Sequence, residues 1–275
     1  MSKLGADLVH RFGDHLEAEA PDAHAAAVFE RMARRGSCRR FKPESVSTPL
    51  IETLCALALA SPSKSDLQQR DIVIIEDTAI RARINELLAD QEWIKGAPHL
   101  LIFLGNNRRQ RQVHEWRGLA FANDHLDAFF NAAVDAGIAL SAVVVAAEAA
   151  GLGCCPISVI RNHSDEVSRM LGLPDHVFPV AGLAFGWPLQ PTYMSLRLPL
   201  SATVHRNRYR DCTKEMVDAY DARRNAVFPY RVQRNVAEFG ESRTYGWSED
   251  KARQYARPER ADFGAFIRKK GFNLA

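Results

Sequence analysis

Apolar residues recur in two rhythms along this chain, and each rhythm predicts a different element. Short unbroken runs between polar residues predict buried strands: Asp71 to Glu76, His99 to Gly105, Cys155 to Ile160 and Val177 to Phe185. Helical spacing predicts a helix over Ala23–Arg34 with Gly36 just past its stop. A second starts at Ser47-Thr48-Pro49 and carries Leu50, Leu54, Leu57 and Ala58 on one face. Another follows the first strand to about Asp90. From about Glu115 to Ala150 the pattern predicts one long helix. Phe130, Val134 and Ile138 mark one face of it, and Ala133, Gly137 and Ser141 a neighbouring small-residue face. A helix this apolar belongs in the centre of the molecule. Shorter helices are predicted at His163–Leu171, Lys214–Arg224 and Pro258–Lys270.

The pattern divides the chain into a leader of modest order (1–27), a core (28–200) and a basic helical arm (201–275). The arm is expected to wrap a body or a partner subunit. Composition adds exclusions. Of the 275 residues, 47% are hydrophobic and 25% charged, which excludes a disordered, collagenous or disulfide-scaffold chain. The charge-free stretch Ala136–Ala147 falls short of the ~20 residues that span a bilayer. The N-terminus lacks the apolar centre of a signal peptide. Cys38, Cys55, Cys154, Cys155 and Cys212 form no C-x-x-C pair and are odd in number, so they read as free thiols of a cytoplasmic protein.

The net charge of +3 is unevenly placed. Residues 1–200 hold 20 Lys and Arg against 23 Asp and Glu, whereas residues 201–275 hold 16 against 10. Arginine dominates, and its planar fork suits phosphate and carboxylate. A solvated basic face is the ordinary meaning of such an arm; a phosphate-bearing ligand or a nucleic acid is the other.

No G-x-G-x-x-G follows a strand, and Walker A, H-E-x-x-H and G-x-S-x-G are absent. The histidines lack metal-ligand spacing, so no metal is expected. Three segments remain. Arg34-Arg35-Gly36-Ser37-Cys38-Arg39-Arg40-Phe41 places four arginines within seven residues and can clamp a phosphate, or be a surface cluster. Ser61–Gln68 offers hydroxyls, an ammonium and an amide for the polar edge of a heterocycle, or simply ends a helix. Gly151-Leu152-Gly153 leads into a strand where backbone could approach a ligand, though a helix cap and turn explain the glycines as well.

In this order, the three segments resemble the nitroreductase family of FMN-dependent NAD(P)H oxidoreductases. The R-S-x-R-x-F-like opening is Arg35 to Phe41, and the Ser-rich loop ending in L-Q is Ser61 to Gln68. The G-L-G turn and strand are Gly151 to Ile160. Leu173 to His176, Gly186-Trp187-Pro188, Arg197-Leu198-Pro199 and Val204 to Tyr209 continue the likeness. Gly246-Trp247-Ser248 and Phe266–Gly271 resemble its oxygen-insensitive, NADPH-preferring branch. The resemblance implies an α+β homodimer with a central mixed sheet, helices around it, and an FMN at each of two subunit-interface sites. It places Arg35, Gly36, Ser37 and Arg39 at the phosphate and pyrimidine side, and Arg197 at the phosphate. Ser63, Lys64, Ser65 and Gln68 match the loop from the partner subunit. Gln91 falls near the flavin, and Pro156, Ile157 and Ser158 along its N5 edge. No side chain is assigned a catalytic role, since the flavin carries the chemistry. Arg206 and Arg208 are expected to meet the 2′-phosphate of NADPH. Gly36, Lys64, Asp66, Ser158 and Val159 depart from the family's usual residues, which bears on substrate choice.

The expected activity is hydride transfer from NADPH to a nitroaromatic, quinone or flavin acceptor by a ping-pong mechanism. One alternative is a specialised flavoenzyme of the same fold, a reductive dehalogenase or a flavin-degrading enzyme. The other is a non-catalytic basic interaction protein. Against it, aromatics are interleaved with the basic residues only near Tyr209, Tyr220 and Tyr230, so neither a nucleic-acid nor a membrane partner is expected.

Overall fold

The computed structural model describes residues 2–275. In chain order its α-helices are α1 (Lys3–Phe12), α2 (Ala23–Arg34), α3 (Thr48–Leu59), α4 (Thr78–Leu87), α5 (Arg108–Arg117), α6 (Leu126–Ala149), α7 (Ser164–Met170), α8 (Lys214–Val227), α9 (Val236–Phe239), α10 (Trp247–Tyr255) and α11 (Phe263–Lys269). The strands are β1 (Arg70–Ile74), β2 (His99–Asn106), β3 (Gly153–Ile157) and β4 (Val177–Gly186). Residues group into two units. One is the chain up to Arg35 with Tyr193–Glu259, and the other is Gly36–Thr192 with Arg260–Ala275. This grouping differs from the leader, core and arm division. The first residues pair with the arm, and Arg260–Ala275 leave it, because Phe266, Ile267 and Phe272 bury with Phe178 and Ala132.

The second unit is built on a four-stranded sheet of order β1-β2-β4-β3. Every neighbouring pair is antiparallel, so the expected mixed sheet is corrected. The chain reverses direction between each pair of neighbours, and no parallel pairing arises. β2 is buried along nearly its whole length, and its alternate residues feed two cores. Leu101 and Phe103 join Ile51, Leu54 and Ala58 of α3 and Ala139, Val143 and Ala147 of α6. Leu100, Ile102 and Leu104 join Ile84, Ile94 and Val167 on the opposite face. Burial on both faces explains why the strands read as continuous apolar runs. Each such large side chain contributes about 1.5–3 kcal/mol.

The predicted helix 115–150 is two helices. Gly118, at φ 65, ends α5, and α6 begins only after His125. Among the described residues α6 is the one helix whose length and composition would let it cross a membrane. It exceeds the charge-free stretch seen in the sequence because its interior charge, Asp135, is buried and paired. Its alanine face packs on the sheet, while Leu126, Phe130, Val134 and Val145 stay exposed.

In the first unit, α1 replaces the expected loose leader. The Ser2 side chain accepts from the Gly5 amide, Leu4 is buried, and Gly13 closes the helix at φ 81. Lys3–Glu30 and Arg34–Asp7 ion pairs tie α1 to α2. The predicted helix 258–270 starts only at Phe263, since Pro258 and Arg260 (φ 55) interrupt it. α9 and α10 lie between Arg224 and Pro258, where the sequence pattern predicts no helix.

Candidate functional site

The arginine-rich segment separates side chains that the sequence grouped together. Arg34 is committed to Asp7, and Arg35 closes the first unit. From Gly36 onward the chain belongs to the second unit and runs extended beside β3 and the end of β4. The Cys38 amide donates to Cys154 O (2.9 Å), Leu189 N to Arg40 O (3.0 Å), and Lys42 N to Trp187 O (2.8 Å). Extended backbone alternates its side chains. Cys38 therefore turns inward and is buried, while Arg39 turns out. Burial pushes the Cys38 thiol up, and the thiol donates to Arg40 O, so it is a poor nucleophile.

Gly153 makes this approach possible. A Cβ there would lie 2.6 Å from both Cβ and Sγ of Cys38. Gly151, at φ 84, closes α6, with the Leu152 amide donating back to Ala147 O. Both glycines thus serve the fold, one as a cap and one as a close-packing site.

Arg39 has no carboxylate partner among the described residues. Its guanidinium lies 5.6 Å from the centroid of the Trp93 ring. The Trp93 indole N–H donates to Gln91 Oε1 at 3.1 Å, leaving the Gln91 amide nitrogen available. Gln91 sits at a non-helical kink (φ −118, ψ 61) in the 3₁₀ segment Ala89–Ile94. Two residues singled out in the sequence are thereby joined through Trp93, which was not. Nothing local to position 93 signals a contact with a segment more than fifty residues earlier.

The Ser/Lys loop follows α3 and leads into β1. Ser65, Asp66 and Gln68 hold left-handed backbone, at φ 48, 56 and 52. This region costs a non-glycine residue about 1–2 kcal/mol. Lys64, Ser65 and Gln68 are exposed, with the Lys64 ammonium 3.4 Å from Asp127. The loop's carbonyls are held by α5: Arg109 donates to Gln68 O and Gln110 to Leu67 O, both at 2.6 Å. Its inner groups turn to the buried Asp135 of α6. The exposed Pro156 of β3 and Ser158, just past the strand's end, flank Ile157. The Ile157 side chain lies in the core, so only its backbone is available to a ligand.

In the first unit, Arg35 and Arg197 line one pocket of about 900 Å³, whose walls include Leu8, Phe29, Met32 and Trp247. The Arg197 segment is fixed by three bonds. Its amide donates to Arg11 O (2.8 Å), Arg223 donates to Arg197 O (2.6 Å), and the Tyr220 hydroxyl donates to Leu196 O (3.1 Å). Arg206 and Arg208 do not line this pocket; they sit on an exposed loop without carboxylate partners among the described residues. Asp211 is instead engaged by the Tyr209 hydroxyl, and Glu215 by the Thr213 side chain.

Known proteins share this pattern. The nitroreductase family profile matches residues 32–187, and the profile of that family's C-terminal domain matches residues 195–275. The chain is 29% identical over 253 residues to an FMN reductase [NAD(P)H] of Bacillus subtilis, covering 90% of this chain and 98% of that protein. It is 28% identical over 245 residues to an oxygen-insensitive NADPH nitroreductase of Salmonella typhimurium, covering 89% and 98%. Its fold is similar to the solved structure of B. megaterium NfrA2, with a TM-score of 0.81 and 30% identity over 90% of this chain and 98% of that one.

Proposed function

The chain belongs to the nitroreductase family, and from that premise we propose that it is an FMN-dependent oxidoreductase that takes hydride from NADPH. The acceptor is a nitroaromatic, a quinone or free flavin, entering in turn with NADPH as in a ping-pong cycle. Relatives named FMN reductase and NADPH nitroreductase support this reading along nearly their full lengths.

The observation that carries it is the Arg39–Trp93–Gln91 constellation. It offers a cation without a counter-charge and an available amide, at positions matching the family's flavin motifs. The donor set fits FMN: guanidinium groups suit a phosphate, while hydroxyl and amide donors suit the polar edge of a ring. When bound, FMN supplies two-electron hydride chemistry, so no side-chain nucleophile is required.

The chain's own residues bind and orient. In the first unit, Arg35 and Arg197 are assigned to the phosphate, and Arg206 and Arg208 to the 2′-phosphate of NADPH. In the second, Ser37 and Arg39 serve the pyrimidine side, Gln91 is assigned a place near the flavin, and the backbone of Gly36 and of Pro156–Ser158 serves close approach. Lys64, Ser65 and Gln68 act on the site of a second copy, while Ser63, whose hydroxyl is turned to Asp135, shapes their loop. The exposed stripe Leu126, Phe130, Val134 and Val145 along α6 supports that homodimer, since obligate partners cover such faces. The tyrosines of the basic region give little support to a nucleic-acid platform. Tyr220 is buried and Tyr230 and Tyr245 pack edge to face, which leaves Tyr209 and Tyr255 largely exposed, on separate segments of the chain.

The test is turnover and assembly together. The purified chain should sediment as a dimer and turn NADPH over catalytically only when loaded with FMN and given one of these acceptors. An FMN-loaded monomer, or NADPH oxidation independent of FMN, would contradict the reading.

A further inference from the structure

The loop Ser63–Gln68 holds three consecutive-region residues in left-handed backbone without a glycine among them. Such a conformation persists only where surrounding structure over-determines it. The determinant is Asp135, the one charged residue between Asp127 and Glu148 in α6. Its side chain is 1% exposed. A carboxylate buried in an apolar helix is costly unless it is paired and hydrogen-bonded. Among the described residues, each of its partners comes from the loop and its exit. Ser63 Oγ donates to Oδ2 at 2.7 Å, the Lys64 amide to Oδ1 at 3.1 Å, and the Gln69 amide to Oδ2 at 3.0 Å. Arg70 Nη1 stands 3.6 Å from Oδ2.

The anchor reaches further through two relays. Ser63 Oγ, while donating to Asp135, accepts the Gln68 amide at 2.7 Å, so one carboxylate fixes the loop's beginning and its end. Arg70 donates to Leu59 O (2.8 Å) and Ser61 O (2.7 Å), which ties the end of α3 to the same buried pair. With these groups turned inward, the Lys64, Ser65 and Gln68 side chains are left exposed on the loop's outer side.

We propose that Asp135 is the positioning residue of the flavin-binding loop: a buried carboxylate that receives the loop's inward N–H and O–H groups and so holds Lys64, Ser65 and Gln68 in binding geometry. This rests on the reading that the loop serves FMN. A carboxylate can only accept, and two amides and a hydroxyl need acceptors here. Asparagine has the same shape but directs an N–H₂ at one of these donors and leaves Arg70 without its counter-charge.

The test uses full-length apoprotein reconstituted with FMN, in wild type, Asp135→Asn and Asp135→Glu. Kd is read from flavin fluorescence, and hydrogen exchange is followed at the Lys64 and Gln69 amides and across the sheet. Asp135→Asn should weaken FMN binding about tenfold or more, as for loss of bonds to a charged acceptor. The two loop amides should exchange faster while β2 and β4 keep their protection. Should Asp135→Asn fail to fold, Asp135→Glu, which keeps the charge opposite Arg70 but displaces the acceptors by one methylene, carries the comparison. Wild-type affinity in both variants would overturn the proposal, as would a loss of affinity that appears only with loss of sheet protection. Rapid exchange of the Lys64 and Gln69 amides in wild type would overturn it without any variant. A wild type that takes up no FMN overturns the proposed function as well, whereas a wild type that binds beside unaffected variants overturns this inference alone.

Discussion

Arg39 lies over the ring of Trp93, with 5.6 Å between its guanidinium carbon and the ring centroid. The ring orients the guanidinium without neutralising it, so the positive charge remains available to a ligand. Arg39→Ala should weaken FMN binding roughly ten- to hundredfold, the equivalent of ~1.5–3 kcal/mol for a charge-assisted hydrogen bond. It should also lower the potential of bound flavin. Arg39→Lys keeps the charge but loses the planar stack, and should fall between. Fluorescence titration and potentiometry decide this; unchanged affinity and potential in Arg39→Ala would leave it a surface charge.

Gly153 and Cys38 make a second pair whose closeness is demanded by the backbone. Because a Cβ at 153 would stand 2.6 Å from Cβ and Sγ of Cys38, Gly153→Ala should destabilise the fold by about 1–3 kcal/mol through overpacking. Adding Cys38→Gly removes both clashing atoms and should recover part of the loss. Urea denaturation of the single and double variants measures it. A neutral Gly153→Ala would show that the arginine segment is not clamped to β3.

Much of the second unit was legible from local pattern. The β-branched run at 71–76 and the apolar run at 99–105 form paired strands, and in the first unit α2 spans Ala23–Arg34, the range its helical spacing predicts. The break between α5 and α6 was hidden because Leu119 to Ala122 continue an apolar helical rhythm through a turn set by Gly118. The outward face of α6 could be named but not its direction: the alanines pack on the sheet, and Phe130 faces out. At the site, Arg39 and Gln91 were visible as motif positions, whereas Trp93 was not, since its meaning lies in a tertiary contact. Asp135 did carry a signal, as a lone charge inside an apolar helix.

His99 makes stability depend on pH. Its Nε2 accepts the Val46 amide at 2.8 Å, which requires the neutral ring. Burial, and then the nearby Arg81, hold its pKa below the ordinary 6.5. Neutral His99 is therefore favoured in the folded state, so its contribution is complete above about 6.5 and is lost as pH falls towards the lowered folded value. His176, lowered by burial and then by Arg111, acts in the same direction. The urea midpoint should fall on mild acidification, and less steeply in His99→Gln. An identical pH slope in wild type and variant would remove His99 from this role.

Arg206 and Arg208 are exposed and have no carboxylate partner among the described residues, as a 2′-phosphate site requires. NADPH should be preferred to NADH roughly ten- to hundredfold in kcat/KM, the worth of one arginine–phosphate contact. Arg206→Ala or Arg208→Ala should narrow that gap, and added salt should narrow it in wild type by screening. Equal use of both coenzymes, or a gap that neither substitution changes, would show that this loop does not select the coenzyme.

The central claim is that this chain holds FMN and loads it with electrons from NADPH. Anaerobic mixing of the FMN-reconstituted protein with NADPH tests that half-reaction directly, with no acceptor present. The account predicts a flavin absorption band that bleaches in one turnover and returns when a nitroaromatic, quinone or free flavin is added. A colourless protein that takes up no FMN, or a bound flavin that NADPH leaves oxidised, would contradict it.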